Sequence, residues 1–140
     1  MSAALKKLRL NAEEIHSDLD QSEREKVLNR FRSKELNILV ATDIVSRGID
    51  IEDIDMVLNF DVPNDGEDYI HRIGRTARAK AKGAAITLIN EKDQGKFATI
   101  ETLLGKSIYK GAIPVQLGEG PSFEPQKHKS KFRKGGFRKK

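Results

Sequence analysis

Residues 36 to 41 read Leu36-Asn37-Ile38-Leu39-Val40-Ala41, and this short apolar run decides the fold class of the chain. Its length and its β-branched content are typical of a buried strand in a covered parallel sheet. The residues before it predict a helix through Arg32. Asp20 and Glu23 have the spacing of a capping box, and apolar residues follow at helical spacing at Val27, Leu28 and Phe31.

The same alternation continues outward along the chain. Further strands are predicted at 56–60 and 84–89, with a short extended segment at 12–16. Helices are predicted at 3–10, from Asn64 or Asp65 onward, and at 91–104. The expected core faces are Ile70, Ile73 and Ala77 on the second of these helices, and Phe97, Ile100, Leu103 and Leu104 on the third. Alternating strands and helices predict a doubly wound α/β fold with a parallel sheet between helices.

The composition excludes several classes of protein. The 140 residues include 37% hydrophobic and 34% charged residues, which suits one compact, polar-surfaced domain. The chain has no cysteine and three scattered histidines, so we predict no disulfide, no thiol nucleophile and no bound metal within it. Because no apolar run is long enough to span a membrane and no signal peptide is apparent, we expect a cytoplasmic protein without membrane contact.

The net charge of +5 is unevenly distributed. Residues 126–140 carry six Lys and two Arg without an acid, whereas the preceding residues are net negative. We therefore predict a folded domain over 1–117, followed over 118–140 by a Gly/Pro connector and a disordered basic tail.

Two loops contain residues suited to binding phosphate. The first follows the strand at 36–41 and includes Thr42, Arg47, Gly48 and Asp50. A hydroxyl, a guanidinium and a glycine in one strand-end loop provide donors, positive charge and close access to the backbone. Ligands of parallel sheets bind at such strand ends. The alternative interpretation is a polar loop that caps a helix.

The second candidate is the segment from His71 to Arg78. His71, Arg75 and Arg78 have i, i+4, i+7 spacing, so a continuous helix would display an imidazole and two guanidinium groups on one face. Guanidinium groups bind phosphate oxygens in pairs and stay charged, which favours an anionic partner. An arginine-rich solvated surface is the alternative interpretation.

Together the two segments resemble a known family. ATDIVSRGIDI at 41–51 and YIHRIGRTAR at 69–78 resemble motifs V and VI of the DEAD-box RNA helicases, and QSER at 21–24 resembles the QxxR element of that family. The resemblance implies the C-terminal RecA-like lobe of an ATP-dependent RNA helicase. The short basic tail is similar to that of the bacterial RhlE-like branch.

The resemblance also implies roles for individual residues. Those expected to bind RNA phosphates and sugars are Gln21, Arg24, Thr42, Arg47 and Gly48. Asp50 is expected to bind the ATP ribose, Arg75 and Arg78 to reach the γ-phosphate as catalytic arginine fingers, and His71 to contact the N-terminal lobe.

Other family features are absent from these 140 residues. There is no G-x-x-x-x-G-K-[ST] loop and no Asp-Glu-Ala-Asp sequence. We therefore expect an N-terminally truncated chain, without the first strand of the lobe, that hydrolyses no ATP alone. ATP would bind with Mg²⁺ held by the absent N-terminal RecA-like lobe. The alternatives are an ATP-independent RNA-binding or RNA-chaperone module and a structural α/β domain with a basic anchor.

Overall fold

The computed structural model describes residues 1–42, 51, 54–76 and 83–125. Within these ranges helices and strands alternate along the chain except between the second and third strands, and the predicted α/β class is confirmed. The elements are α1 (Ser2–Lys7), β1 (Ala12–Ile15), α2 (Gln21–Arg32), β2 (Ile38–Ala41), β3 (Met56–Asn59), α3 (Gly66–Ile73), β4 (Ala84–Thr87) and α4 (Gln94–Leu104), followed by a 3₁₀ turn at Val115–Leu117. No helix in the described ranges is long and apolar enough to cross a membrane.

The strands form two parallel pairs. β1 pairs with β2 in a register that sets Ala12 opposite Ile38 and Ile15 opposite Ala41. β3 is hydrogen-bonded to β4. The Ala84 amide donates to the Asp55 carbonyl and the Leu88 amide to the Asn59 carbonyl, both at 3.0 Å. Because donors and acceptors advance together along the two strands, this pair also runs parallel.

The described chain groups into two units. The first contains Met1–Leu58 and Glu67–Ile86, and the second contains Asn59–Gly66 and the chain from Thr87 onward. The core of the first unit is built on Ile15 and Ile51, with Leu19, Leu28, Phe31, Leu39 and Ile54 packed against them. The second unit buries Val62, Pro63, Phe97 and Ile100.

Several side chains lie elsewhere than the sequence predicts. α3 buries Tyr69 and leaves Ile70 44% exposed, so the predicted apolar stripe of this helix is wrong at Ile70. Leu103 was expected in the core but is 62% exposed. At about 100° per residue, Leu103 lies roughly 120° around α4 from Phe97, whereas Leu104 lies almost in line with it.

The strands β3 and β4 are less buried than predicted. Met56 and Leu58 are 54% and 53% exposed, whereas Asn59 is buried. Side chains alternate between the two faces of a strand, so β3 has one covered face and one open face. A run of apolar residues does not distinguish this arrangement from a strand covered on both faces.

Candidate functional site

The first group of predicted site residues surrounds the carboxyl ends of β1 and β2. The register places Ile15 beside Ala41, and the Thr42 amide donates to the Ile15 carbonyl at 3.3 Å. The residues that directly follow the two strands, His16 and Thr42, therefore lie at the same edge of the pair. Thr42 is exposed at this edge, as a residue that binds an external ligand must be.

The start of α2 is fixed by a capping box. The Glu23 amide donates to the Asp20 carboxylate at 2.7 Å, and the Asp20 amide donates to the Glu23 carboxylate at 3.1 Å. This reciprocal pair satisfies two amides that the first turn would otherwise leave open. It confirms the helix start predicted from the sequence and gives Gln21 and Arg24 defined positions in the first turns.

Arg24 is oriented by the loop between β1 and α2. Its Nε donates to the Leu19 carbonyl at 2.9 Å, which turns the guanidinium back toward that loop. Among the described residues, no partner is recorded for its two terminal nitrogens, which can donate to an external anion. The Gln21 amide donates to the Glu25 carboxylate at 3.1 Å, one turn along the helix.

The second group lies at the end of α3, where the structure differs from the expected helix. α3 ends at Ile73, and Gly74 and Arg75 form a turn. The Arg75 amide bonds the Arg72 carbonyl at 3.2 Å, and the Thr76 amide bonds the Ile73 carbonyl at 3.2 Å. These hydrogen bonds join residues three positions apart, as in a turn, whereas an α-helix joins residues four positions apart. His71 and Arg75 therefore do not share a continuous helical face.

Arg75 is half-buried, with an unusual environment for a guanidinium. Its Nε is buried and has no hydrogen-bond partner among the described residues. An unpaired polar atom of a charged group is costly to bury. The geometry therefore suits a ligand that supplies negative charge to this guanidinium.

The turn that carries Arg75 is tied to the chain that enters β3. The Ile54 amide donates to the Arg75 carbonyl at 3.4 Å, and the Thr76 hydroxyl donates to the Asp55 carbonyl at 3.4 Å. A Cβ added at Gly83 would lie 1.8 Å from both the carbonyl oxygen and the hydroxyl of Thr76. Sequence reasoning did not single out Gly83, although a glycine directly before a predicted strand is a signal of close backbone approach.

Both groups are supported by one core. Leu19, whose carbonyl orients Arg24, packs against the cluster of Ile15 and Ile51. Ile54, whose amide bonds Arg75, packs against the same cluster. Substitutions in this cluster are therefore expected to disturb both groups of residues together.

The remaining predicted site residues are Arg47, Gly48, Asp50 and Arg78, and they lie outside the described residues. His71 is exposed near the end of α3. Within the described ranges, no group of three or more His, Asp or Glu side chains could hold a metal ion.

Comparison with known proteins shows a clear relationship. The helicase conserved C-terminal domain matches residues 1–80. An ATP-dependent rRNA helicase RRP3 of Encephalitozoon cuniculi is 47% identical over 108 residues, covering 77% of this chain and 27% of that protein. The chain thus spans about a quarter of the length of this curated relative.

Solved structures show the same relationship in three dimensions. The Escherichia coli DEAD-box protein SrmB, bound to the regulator of ribonuclease activity A, aligns over 90% of this chain and 72% of its own, with a TM-score of 0.75 and 34% identity. A DEAD box protein from Methanococcus jannaschii aligns over 76% of this chain and 29% of its own, with a TM-score of 0.71 and 44% identity.

Proposed function

Because this chain belongs to the helicase conserved C-terminal domain family and is the C-terminal RecA-like lobe of a DEAD-box RNA helicase, we propose that it binds the RNA backbone and completes an ATP site. The ATP site would lie between this lobe and an N-terminal RecA-like lobe of the same protein. The two groups of residues described above would then serve two ligands, RNA at the β1–β2 edge and nucleotide phosphate at the end of α3.

The observation that carries the proposal is the state of Arg75. Its guanidinium is half-buried, its Nε has no partner among the described residues, and its backbone is held at both Arg72 and Ile54. A fixed, partly desolvated cation is suited to stabilise the negative charge that spreads over phosphate oxygens during phosphoryl transfer. Arg75 and Arg78 are the residues we propose to hold the terminal phosphate, with Asp50 at the ribose.

When bound, ATP with Mg²⁺ would supply the terminal phosphoryl group that is transferred to water, and we propose that the helicase couples this hydrolysis to RNA unwinding. The residues of this chain contribute positive charge and position, and we propose that the Mg²⁺ ligands belong to the N-terminal lobe. The exposed His71 is available for contact with that lobe. This chain alone is proposed to be inactive as an ATP hydrolase.

The RNA assignment is supported by the arrangement at the β1–β2 edge. Arg24 presents its terminal nitrogens beside the loop after β1, and Thr42 presents a hydroxyl at the end of β2. Both groups suit phosphate and sugar oxygens, which carry no base identity. We therefore propose binding that is insensitive to RNA sequence, with Gln21, Arg47 and Gly48 in the same interface.

The test uses a two-lobed protein in which this chain replaces the matching residues in the C-terminal lobe of a competent DEAD-box helicase. Arg75→Ala should lower kcat for RNA-stimulated ATP hydrolysis by at least about tenfold, which corresponds to roughly 1.4 kcal/mol of transition-state stabilisation. Arg75→Lys should not restore it, since a point charge cannot reproduce paired contacts of a guanidinium.

Arg32→Ala is the matched control, because it removes an exposed arginine from the last turn of α2. Its kcat should equal that of the parent protein at saturating ATP and RNA. Wild-type turnover in Arg75→Ala would contradict the catalytic assignment and leave the ATP-independent RNA-binding module as the better interpretation.

A further inference from the structure

The second unit contains a cluster of contacts between α4 and the connector that precedes the basic tail. Residues 118–125 contain two glycines and two prolines, a composition that favours a solvated linker. The structure nevertheless seats Ser122–Glu124 against Gln94 and Phe97 of α4 and against Lys110, which follows that helix.

Gln94 binds the backbone of this segment on both sides of Phe123. Its Nε2 donates to the Ser122 carbonyl at 2.7 Å, and its Oε1 accepts from the Glu124 amide at 2.7 Å. Gln94 is 5% exposed. A buried primary amide that pairs with a backbone carbonyl and amide holds an extended segment in one register, as a neighbouring strand does.

Phe123 fills the position between these two hydrogen bonds. Its ring lies 6.2 Å from the ring of Phe97, centroid to centroid, at an interplanar angle of 87°. The Lys110 ammonium lies 4.5 Å from the Phe123 centroid and 5.5 Å from the Phe97 centroid. The edge-to-face pair and the shared cation are both favourable geometries for aromatic rings.

Lys110 is itself held in place by Glu101. The Glu101 carboxylate accepts hydrogen bonds from the Lys110 ammonium, from the Ile108 amide at 2.6 Å and from the Ser107 hydroxyl at 3.3 Å. Burial raises the pKa of Glu101, but hydrogen bonds from Lys110 and Ile108 outweigh it and leave the pKa below its ordinary value. The carboxylate stays ionised at neutral pH and keeps the ammonium over both rings.

The connector is also close-packed upstream of Phe123. A Cβ added at Gly120 would lie 2.0 Å from the Cδ1 of Ile113. The segment is thus in contact at two points within the same unit, at Gly120 and at residues 122–124.

We propose that this face of α4 is a docking site for the Ser122–Glu124 segment of the same chain, and that docking fixes the point from which the basic tail reaches RNA. The eight cations of the tail begin two residues after Pro125, at Lys127. The role in RNA binding rests on the proposed function, because it requires that RNA lie on this lobe.

Docking shortens the tether of the tail. The tether is the stretch of chain between the last fixed residue and the middle of the tail. With Phe123 seated, it runs from Pro125 and has about 8 residues. When the segment is released, it runs from Leu117 and has about 16 residues. Because effective concentration falls roughly as the −3/2 power of tether length, release should weaken the contribution of the tail to RNA affinity about threefold.

The experiment measures the dissociation constant of a single-stranded RNA oligonucleotide and hydrogen exchange of the Glu124 amide in the two-lobed protein. Phe123→Ala and Gln94→Ala should each raise the dissociation constant about threefold and accelerate exchange at Glu124. Ser122→Ala is the matched control, because only the backbone carbonyl of Ser122 contacts Gln94. It should match the parent protein in both measurements.

Deletion of residues 126–140 distinguishes a failure of the docking proposal from a failure of the proposed RNA binding. In the deleted protein, Phe123→Ala should no longer change RNA affinity, while exchange at Glu124 should still accelerate. If the deletion weakens RNA binding but Phe123→Ala in the complete chain does not, the docking role is overturned and tail binding stands. If the deletion has no effect on RNA binding, the tail does not reach RNA and the docking role fails with it.

A synthetic peptide of residues 118–125 tests whether the docking site on α4 is filled by the connector of the same chain. The peptide should bind a protein truncated after residue 117 and should bind the complete chain much more weakly, since the site is already filled in cis. Equal binding to both proteins would overturn docking in cis and assign the site to a separate protein.

Discussion

At the residue scale, Arg24 and Arg75 carry the same charge but have different surroundings. Arg24 uses Nε to bond the Leu19 carbonyl and leaves its terminal nitrogens for an external anion. Arg75 has a buried Nε without a partner among the described residues. The first arrangement suits a contact to a flexible, solvated backbone phosphate, and the second suits a ligand that enters a partly closed site.

This difference predicts that the two arginines act on different ligands. In the two-lobed protein, Arg24→Ala should lower RNA affinity by about ten- to a hundredfold, since a hydrogen bond to a charged group contributes ~1.5–3 kcal/mol. Nucleotide affinity should stay within about twofold of the parent, because Arg24 belongs to the group of residues assigned to RNA. RNA and nucleotide titrations of the same preparation measure both quantities.

Lys26→Ala provides the control, because it removes an exposed cation two residues further along α2. RNA affinity of this variant should stay close to that of the parent. A decrease of nucleotide affinity in Arg24→Ala, with RNA binding unchanged, would show that the two ligands have been assigned to the wrong groups.

At the element scale, helix ends decide where functional side chains lie. α1 ends in a Schellman-type pattern, in which the Arg9 amide bonds the Lys6 carbonyl at 2.9 Å and the Leu10 amide bonds the Leu5 carbonyl at 3.1 Å. α2 ends similarly at Lys34. Both Arg9 and Lys34 have φ near 60°, a left-handed conformation that glycine adopts at lower cost.

The ends of these helices therefore predict a stabilising substitution. Lys34→Gly should raise the free energy of unfolding by about 0.5–1 kcal/mol, because it relieves the left-handed strain at the end of α2. Urea denaturation followed by circular dichroism measures the change.

Lys26→Gly is the matched substitution inside the same helix. It should lower stability by about 1 kcal/mol, since glycine is unfavourable in a helix interior. A decrease of stability in Lys34→Gly would mean that the aliphatic part of this lysine makes a stabilising contact that outweighs the strain.

At the scale of the whole molecule, charge is divided between a net negative body and a strongly basic C-terminal end. Residues 126–140 carry eight basic side chains, whereas the chain as a whole has a net charge of +5. The basic residues lie next to the docked Ser122–Glu124 segment in the sequence, so the C-terminal part of the chain combines a fixed attachment with a run of eight cations.

Deleting residues 126–140 is predicted to weaken RNA binding uniformly across RNA sequences. The slope of log affinity against log salt should become shallower by ~0.7 for each phosphate of the single strand that the tail had neutralised. Titrations at several salt concentrations with two unrelated oligonucleotides measure it. An unchanged slope would show that the tail binds no phosphate.

Local sequence patterns determined several secondary-structure elements and the family of this protein. The capping box of Asp20 and Glu23, the helix that follows it and the strand at β2 depend on neighbours within a few residues, and they were predictable for that reason. The short sequences at 41–51 and 69–78 indicated the family, which the comparisons confirm. The RhlE-like branch, the residue roles and the boundary at residue 117 stay predictions.

Tertiary contacts decided the rest. The end of α3 at Ile73 places Arg75 in a turn tied to Ile54 and not on the predicted helical face. The sequence predicted a Gly/Pro connector after residue 117, and no pattern within that connector indicated that Gln94 and Phe97 would seat Phe123 against α4. Both contacts join residues about 20 to 30 positions apart in the sequence. The free energy of tertiary packing decides whether such residues come into contact, and the periodicity of a single segment cannot predict it.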